Sequence, residues 1–388
     1  MDKFKQLMKN NIRQYGMGIA LVSIVILFQI LTNGILLRPL NVSNLVLQNS
    51  YILVLAIGML LVIITGNVDL SVGSVVAFVG AISGMLMVNM KVPVFVAIIV
   101  SLLIGALVGA WQGYWIAYVK IPAFIVTLAG MLIFRGLTLV ILKGQTLAPF
   151  PEAFQAMSSG FTRDIFGGKN LHITTILVGI IFSIIYTLLE LDNRKKKIKY
   201  NFDTLPIKFL IAKLAIIILA INLLTFSLAS YKGIPNVLIL LSVLVIIYTF
   251  IANKTIPGRH IYALGGNEKA AKLSGIKTEK VLFWVYVNMG LLSALAGMVF
   301  TGRLNAATPK AGTGFELDAI AACYIGGASA SGGIGTVIGA IIGGLVMGVL
   351  NNGMSIIGVG IDWQQAIKGM VLLAAVAFDV YTKSKSKK

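Results

Sequence analysis

Residues 234–252 read Ile234-Pro-Asn-Val-Leu-Ile-Leu-Leu-Ser-Val-Leu-Val-Ile-Ile-Tyr-Thr-Phe-Ile-Ala252. As a helix rising about 1.5 Å per residue, such a run crosses about 30 Å of hydrocarbon. It is followed at 253–280 by a basic, polar stretch that includes Gly258-Arg-His-Ile-Tyr-Ala-Leu-Gly-Gly-Asn-Glu-Lys-Ala-Ala-Lys-Leu-Ser-Gly-Ile276. Comparable runs recur on both sides, at 16–37, 45–65, 70–88, 93–119, 122–142, 172–190, 207–229, 281–301, 333–357 and 364–382. Over 388 residues, 58% are apolar and only 12% charged. The mean hydropathy is +0.94. A soluble chain of this size needs more polar surface, so the class is an all-α polytopic membrane protein. About 10–12 transmembrane helices are expected. The stretch 316–331 is short and rich in small residues, and reads as a broken or re-entrant half-helix.

The distribution of Lys and Arg sets the orientation. They concentrate before the first run (Lys3, Lys5, Lys9, Arg13), at 191–206 and Lys208, at 253–280, and at the end (Lys383, Lys385, Lys387, Lys388). These regions share one side if the runs alternate, which predicts both termini in the cytoplasm. One membrane domain, 1–388, is expected, with an outer loop at 143–171, a basic cytoplasmic loop at 191–206 and a cytoplasmic loop at 253–280. The net charge of +19 is then explained by topology and anionic lipid headgroups, with no nucleic acid partner. No cleavable signal peptide is expected.

Several chemistries find no support. There is no Gly-x-x-x-x-Gly-Lys-Ser/Thr run for ATP. His172 and His260 lack acidic or Cys neighbours at ligand spacing, so no metal site is expected. Cys323 is the one cysteine and reads as a small packing residue. Glycines recur every four residues at 105, 109 and 113, and again at 335, 339 and 343, with Gly344 and Gly348 beside them. Such faces let helices approach closely, for packing or for sliding during gating.

Polar residues inside the runs are the candidate site. Asn67-Val-Asp-Leu-Ser-Val-Gly73 is a polar break between two runs. A lipid-facing Asp69 would be unfavourable, so it caps the helix beginning at Leu70, with Ser71 nearby, or faces water. Arg135 lies about midway along 122–142, with Asp69, Glu316 or Asp318 as its expected partners, or else snorkels to the outer interface. Glu316 and Asp318 head the short segment that ends in a Gly/Ser-rich run to Gly335. Irregular backbone is tolerated at that depth only beside protein or a water cavity. Asn351 and Asn352 add amides, although paired Asn more often hold helices together. The translocation-pathway candidates are Asn67, Asp69, Ser71, Arg135, Glu316, Asp318, Asn351 and Asn352. Trp363 offers an aromatic face.

At Asp69-Leu-Ser-Val-Gly73, Pro122-Ala-Phe-Ile-Val-Thr-Leu128, Gly258-Arg259 to Ile276 and Glu316-Leu-Asp-Ala-Ile-Ala-Ala-Cys323 to Gly335, the chain resembles the permease subunits of bacterial ABC importers for ribose, xylose and galactosides. The resemblance covers nearly the full length. The length and the extra run at 207–229 resemble the xylose or multiple-monosaccharide branch more than the shorter ribose permeases. It implies a bacterial inner or plasma membrane location, a second permease copy, a cytoplasmic ABC ATPase subunit that binds ATP and Mg, and an extracytoplasmic sugar-binding protein. This chain itself would hold no cofactor and catalyse nothing. The resemblance also implies that Gly265, Gly266, Asn267, Glu268, Ala270, Ala271, Leu273, Ser274 and Gly275 form the loop that couples to the ATPase, with a coupling helix over 265–276. Good helix formers from Glu268 and a stop at Gly275 agree with this. The alternatives are an ion-coupled secondary transporter using Asp69, Arg135 and Glu316, a membrane enzyme acting on a lipid-linked sugar, and a passive channel.

Overall fold

The computed structural model describes residues 12–168, 171–202 and 204–386. Lys3, Lys5, Lys9, Lys387 and Lys388 of the basic ends lie outside the described residues. The described chain is a helical bundle built around α2 (Pro39–Ile64), which follows α1 (Ile12–Leu31). Pro39 opens α2 where its missing amide hydrogen is not needed. From Ile52 to Ile64 every residue of α2 is buried. A helix apolar on all sides belongs at the centre of a bundle rather than at its edge.

The chain then leaves the helix at 65–71 before α3 (Val72–Gly84), which a single π-helical turn extends to Asn89. Next come α4 (Val94–Ala117) and α5 (Ala123–Leu142). The outer loop carries the short helix α6 (Glu152–Ser159), whose Phe154 is fully buried. The hairpin α7 (Ile173–Lys199) and α8 (Ile207–Ala229) follows, then α9 (Asn236–Lys254). The inner loop folds as α10 (Ile256–Gly266) and α11 (Glu268–Leu273). The last four helices are α12 (Thr278–Leu304), α13 (Phe315–Ile325), α14 (Val337–Ile356) and α15 (Ile361–Ser386).

Among the described residues, nine helices are long and apolar enough to cross a membrane: α2 to α5, α7 to α9, α12 and α14. The apolar stretch of α1 is shorter, at Gly16–Leu31. α15 is diluted by Asp362, Lys368, Asp379, Lys383 and Lys385. α13 has 11 residues. At about 16 Å it covers half of a bilayer core. The passage it begins is finished by the non-helical run to Thr336, so the expected broken helix is present. The hairpin of α7 and α8 leaves most of its apolar surface outward, as expected of a peripheral addition.

Contacts between helices give their directions. Gly105, Gly109 and Gly113 of α4 meet Gly290, Tyr286 and Phe283 of α12, so these two run antiparallel. Gly335, Gly344 and Gly348 meet Leu60, Leu53 and Asn49, so α14 runs antiparallel to α2. Gly327 touches Met17 near the start of α1, and Asp379 near the end of α15 bonds Ser329. Gly333, in turn, packs on Gly266. The beginning of α1, the end of α15 and the loop of α10 and α11 therefore share one side. The Lys and Arg bias makes that side cytoplasmic.

The glycine series have a clear packing role. A Cβ at Gly109 would overlap the Tyr286 carbonyl, and one at Gly343 would overlap the Ala322 carbonyl. Gly136 on α5 has open space around it. Gly109→Leu is therefore expected to destabilise the bundle by about 1–3 kcal/mol or more through overpacking. It should also lower the apparent Tm in detergent and the yield of monodisperse protein. Gly136→Leu should change neither; equal effects of the two would remove the packing assignment.

Candidate functional site

Three non-helical segments enter the bundle: 65–71, 305–314 and 326–336. The polar candidates follow from how their backbones are satisfied. Asp69 is 2% exposed. Its Oδ1 accepts the Ser71 amide at 2.8 Å and the Ser71 hydroxyl at 2.6 Å. This is an Asx turn, in which a short carboxylate replaces the missing helical partner just before α3. Gln112 on α4 donates to the Ser71 hydroxyl at 2.7 Å. Gly130 on α5 leaves room for that amide. Asn67 folds back on Thr65, donating to its carbonyl and hydroxyl at 3.2 Å each. The buried Tyr286 hydroxyl reaches the Val68 carbonyl at 3.4 Å. The expected cap of a helix starting at Leu70 is not what forms: the helix begins at Val72 with Ser71 as its N-cap and no side-chain cap, and Asp69 instead closes an Asx turn on Ser71 ahead of it.

Arg135 departs from the expectation that it pairs with Asp69, Glu316 or Asp318. Its Nη1 donates to the carbonyls of Ala311 at 2.5 Å and Pro309 at 3.5 Å. The segment 305–314 descends beside α5, and its carbonyls lack helical partners. A guanidinium has donors in excess and no acceptor, so it suits this task. Glu316 is half-buried and lies against Gly73, where α13 meets the first turn of α3. Asp69, Ser71, Arg135 and Glu316 thus converge around the start of α3, although Arg135 makes no direct bond to the carboxylates.

Asp318 has a different partner. Lys368 on α15 reaches its two oxygens at 3.1 and 3.2 Å. Farther along α15, Asp379 accepts from the Ser329 hydroxyl at 3.0 Å and the Ala330 amide at 3.4 Å. Eleven residues are about three helical turns, so Lys368 and Asp379 share a face. One helix therefore grips the broken passage at its helical start and in its extended part. Lys368 falls within the apolar run 364–382, where its neighbours in sequence offer it no partner, and Asp379 is not among the site candidates. Opposite charges three turns apart on one apolar helix were the available signal. The third basic residue within a run, Lys213, pairs with Glu190 at 2.7 Å inside the hairpin.

Asn351 and Asn352 lie elsewhere, near the outer end of α14. Asn352 exchanges hydrogen bonds with Asn41 at 2.9 and 3.2 Å and so ties α14 to α2. The side-chain Oδ1 of Asn351 is buried with no hydrogen-bond partner among the described residues. Trp363 is 69% exposed and lines none of the segments above.

The inner loop corrects one boundary. Gly265 and Gly266 close α10, and the helix expected over 265–276 is α11, six residues long. Asn267 is extended and accepts the Ala270 amide at 3.0 Å, which caps α11 and separates it from α10. Gly275 follows with φ +85°, the left-handed stop expected there. Ala271 packs inward, whereas Glu268, Lys269, Ala270 and Ser274 are exposed. Leu273 is 90% exposed. At the root of this loop, Gly265 has its α-carbon against the Ile64 carbonyl and the Gly333 amide. That amide donates to the Ile64 carbonyl at 2.8 Å. The inner loop thus touches the end of α2, just ahead of one broken passage, and the extended part of the other.

On the opposite side, Asp164 organises the end of the outer loop. It accepts the Thr174 hydroxyl at 2.6 Å and the amides of Thr174, Ile173 and Gly168 at 3.0–3.1 Å. Thr174's hydroxyl leads these donors in holding the carboxyl well below the usual carboxylate range. Ile165 and Phe166 stand exposed on this turn.

Known proteins share this chain's pattern. The profile of the family described as "Branched-chain amino acid transport system / permease component" matches residues 41–376. The chain belongs to this family. It is 39% identical to the xylose transport system permease protein XylH of Haemophilus influenzae, over 97% of this chain and 98% of the relative. It is 37% identical to XylH of Escherichia coli K12, over 99% and 95% respectively. Identity to the ribose import permease protein RbsC of Bacillus subtilis is 36%, over 95% and 92%. No solved structure matches the chain. Membership in a transport-system permease family sets aside the ion-coupled carrier.

Within this permease, the Asp318–Lys368 pair makes a sharp prediction. Lys368→Met strands a carboxylate that is 8% exposed, at a cost of about 3 kcal/mol. The apparent Tm in detergent should fall. Replacing both partners, in Lys368→Met/Asp318→Leu, should recover most of that loss. A double variant no better than the single one would show that the pair is not the reason.

Proposed function

We propose that this permease is the membrane-spanning subunit of an ATP-driven importer that carries a monosaccharide, xylose or a related pentose or hexose, into the cytoplasm. The observation that carries this reading is similarity to xylose permeases across nearly the whole of both chains, including the hairpin of α7 and α8. ATP and Mg belong to a separate ABC ATPase subunit. An extracytoplasmic sugar-binding protein delivers the solute to the outer face, which carries α6 and the Asp164 turn. A second copy of the chain completes the pathway.

The surface best suited to the ATPase is α11. It projects from the inner side with small Ala270 and bare Leu273 outward, an apolar contact rimmed by charge. Ion pairs at its base, Lys272 and Lys120 with Glu279 at 3.1 and 3.5 Å, are exposed and contribute little by themselves. Closure of the ATPase would pull on α11 and so on Gly265. For nucleotide to drive the cycle, its binding must differ in free energy between inward- and outward-open states. The polar residues around the start of α3 are proposed to border the pathway, where amides and carboxylates can exchange hydrogen bonds with sugar hydroxyls.

Proton coupling is disfavoured by the family and the relatives rather than by the geometry of Asp69. The test is uptake of labelled xylose into vesicles holding this chain, its ATPase and its binding protein. Uptake should require ATP and persist with an uncoupler. Accumulation by this chain alone, abolished by the uncoupler, would overturn the proposal.

Coupling gives a second expectation. Leu273→Asp removes the exposed apolar contact from a residue that packs on nothing else, so the fold should be kept. Uptake should fall at least about tenfold, equivalent to about 1.4 kcal/mol of docking energy. The ATPase should co-purify less well. Unchanged coupled uptake would remove α11 as the docking element.

A further inference from the structure

An apolar cavity of about 470 Å³ lies between the core and the peripheral hairpin, walled by α1, α2, α7, α8, α9 and α14. Its wall carries one polar side chain, Ser242, whose hydroxyl already donates to the Leu238 carbonyl at 2.8 Å. A buried water needs two to four polar partners, and this wall has none to give. A dry void of this size would forfeit packing in an otherwise dense interior.

The shape of the cavity indicates what fills it. Along α2 it runs from Val42 to Leu53. That is about 16 Å at helical rise, the depth of one leaflet's hydrocarbon. It begins at Leu36 and Leu37, at the outer end of the bundle, and stops near mid-bundle. It also opens sideways. Phe182, Leu224 and Ile246 line it, yet are 49%, 42% and 63% exposed. Arg38, beside Leu37 at the outer end, is exposed and makes no ion pair with any described residue. We infer that this cavity is a lipid site: one acyl chain of an outer-leaflet anionic phospholipid fills it between the hairpin and α9, with its phosphate at Arg38. The lipid would serve as the packing layer that seats the hairpin, whose own contacts with the core are sparse.

The test uses the full chain, reconstituted in vesicles of phosphatidylethanolamine and phosphatidylglycerol containing a phospholipid with a diazirine in its acyl chain. The protein is then transferred to detergent with extensive exchange before illumination. The expected label sits on Leu241 and Val245, which face the cavity. Label only on the outward Ile239 and Val243, or none, would overturn the site. Native mass spectrometry of the exchanged protein should show about one retained phospholipid per chain. Ser242→Trp, which fills the cavity, should cut that retention about tenfold, because displacing even two methylenes has that effect. Val243→Trp should leave it unchanged. Equal retention in the two folded variants, or a second copy of the chain covering the cavity instead, would also overturn it. Arg38→Gln should abolish a preference for phosphatidylglycerol; a preference that survives would remove the phosphate from Arg38.

Discussion

Inside a bilayer, a backbone amide or carbonyl that leaves a helix must find a partner within the protein. This chain breaks helical structure three times within its bundle, at 65–71, 305–314 and 326–336. Several of the buried polar groups answer those breaks. Asp69 and Ser71 serve the first, with Tyr286 reaching the Val68 carbonyl. Arg135 serves the second through the carbonyls of Pro309 and Ala311. The third is held by Asp379, by the Tyr262 hydroxyl on the Gly335 carbonyl at 2.7 Å, and by the Gly333 amide on Ile64. Asp69 and Ser71 lie within the first break itself, and the remaining partners come from different helices, so the breaks and the helices around them depend on one another.

This accounts for which polar residues are buried and where. A carboxylate is well placed beside irregular backbone because it accepts several amide hydrogens at once, and a guanidinium because it serves several carbonyls. The glycine faces follow from the same demand. Irregular segments and their neighbours must lie backbone to backbone for such bonds to form, as α14 does against α13 at Gly326, Gly339 and Gly343. The peripheral hairpin has no break to serve. Its polar pairs, Lys213 with Glu190 and Asn222 with Ser183, are directed within the hairpin itself.

Much of this was legible in the sequence, and the remainder has a physical reason for being hidden. Apolar runs identified the spanning helices, because length and hydropathy are local properties. The short segment from Glu316 announced a broken passage by its small residues, and the polar break at Asn67–Gly73 was visible between two runs, although Asp69 turns on Ser71 there rather than capping a helix at Leu70. Partner choice was not local. Arg135 was matched with carboxylates because charge invites it, whereas the fold brought a descending loop of bare carbonyls to it instead. Lys368 and Asp318 are fifty residues apart, and only the packing of α15 on α13 joins them. The boundary of α11 was missed for a smaller reason. The resemblance implied a helix from Gly265, whereas the good helix formers start only at Glu268, and there the extended Asn267 caps the Ala270 amide and begins a new helix.

The position of Gly265 bears on how such a bundle can be driven from outside. A rigid helix transmits displacement along its axis, but two well-packed helices resist sliding because their interface is dense. Broken passages are different: their hydrogen bonds are few and each has a single partner, so alternative arrangements differ by a modest free energy. Gly265 touches the end of α2 and the extended run at 333, and any side chain there would collide with the Ile64 carbonyl. The inner loop therefore meets the end of α2, just ahead of the first break, and the third break, as well as the start of α12. Movement there can change the environment of Asp69 and of the α13 segment together while the surrounding helices keep their contacts. The inner loop thus lies directly against irregular backbone, which is where a two-state element would have to lie for the proposed coupling between the two sides.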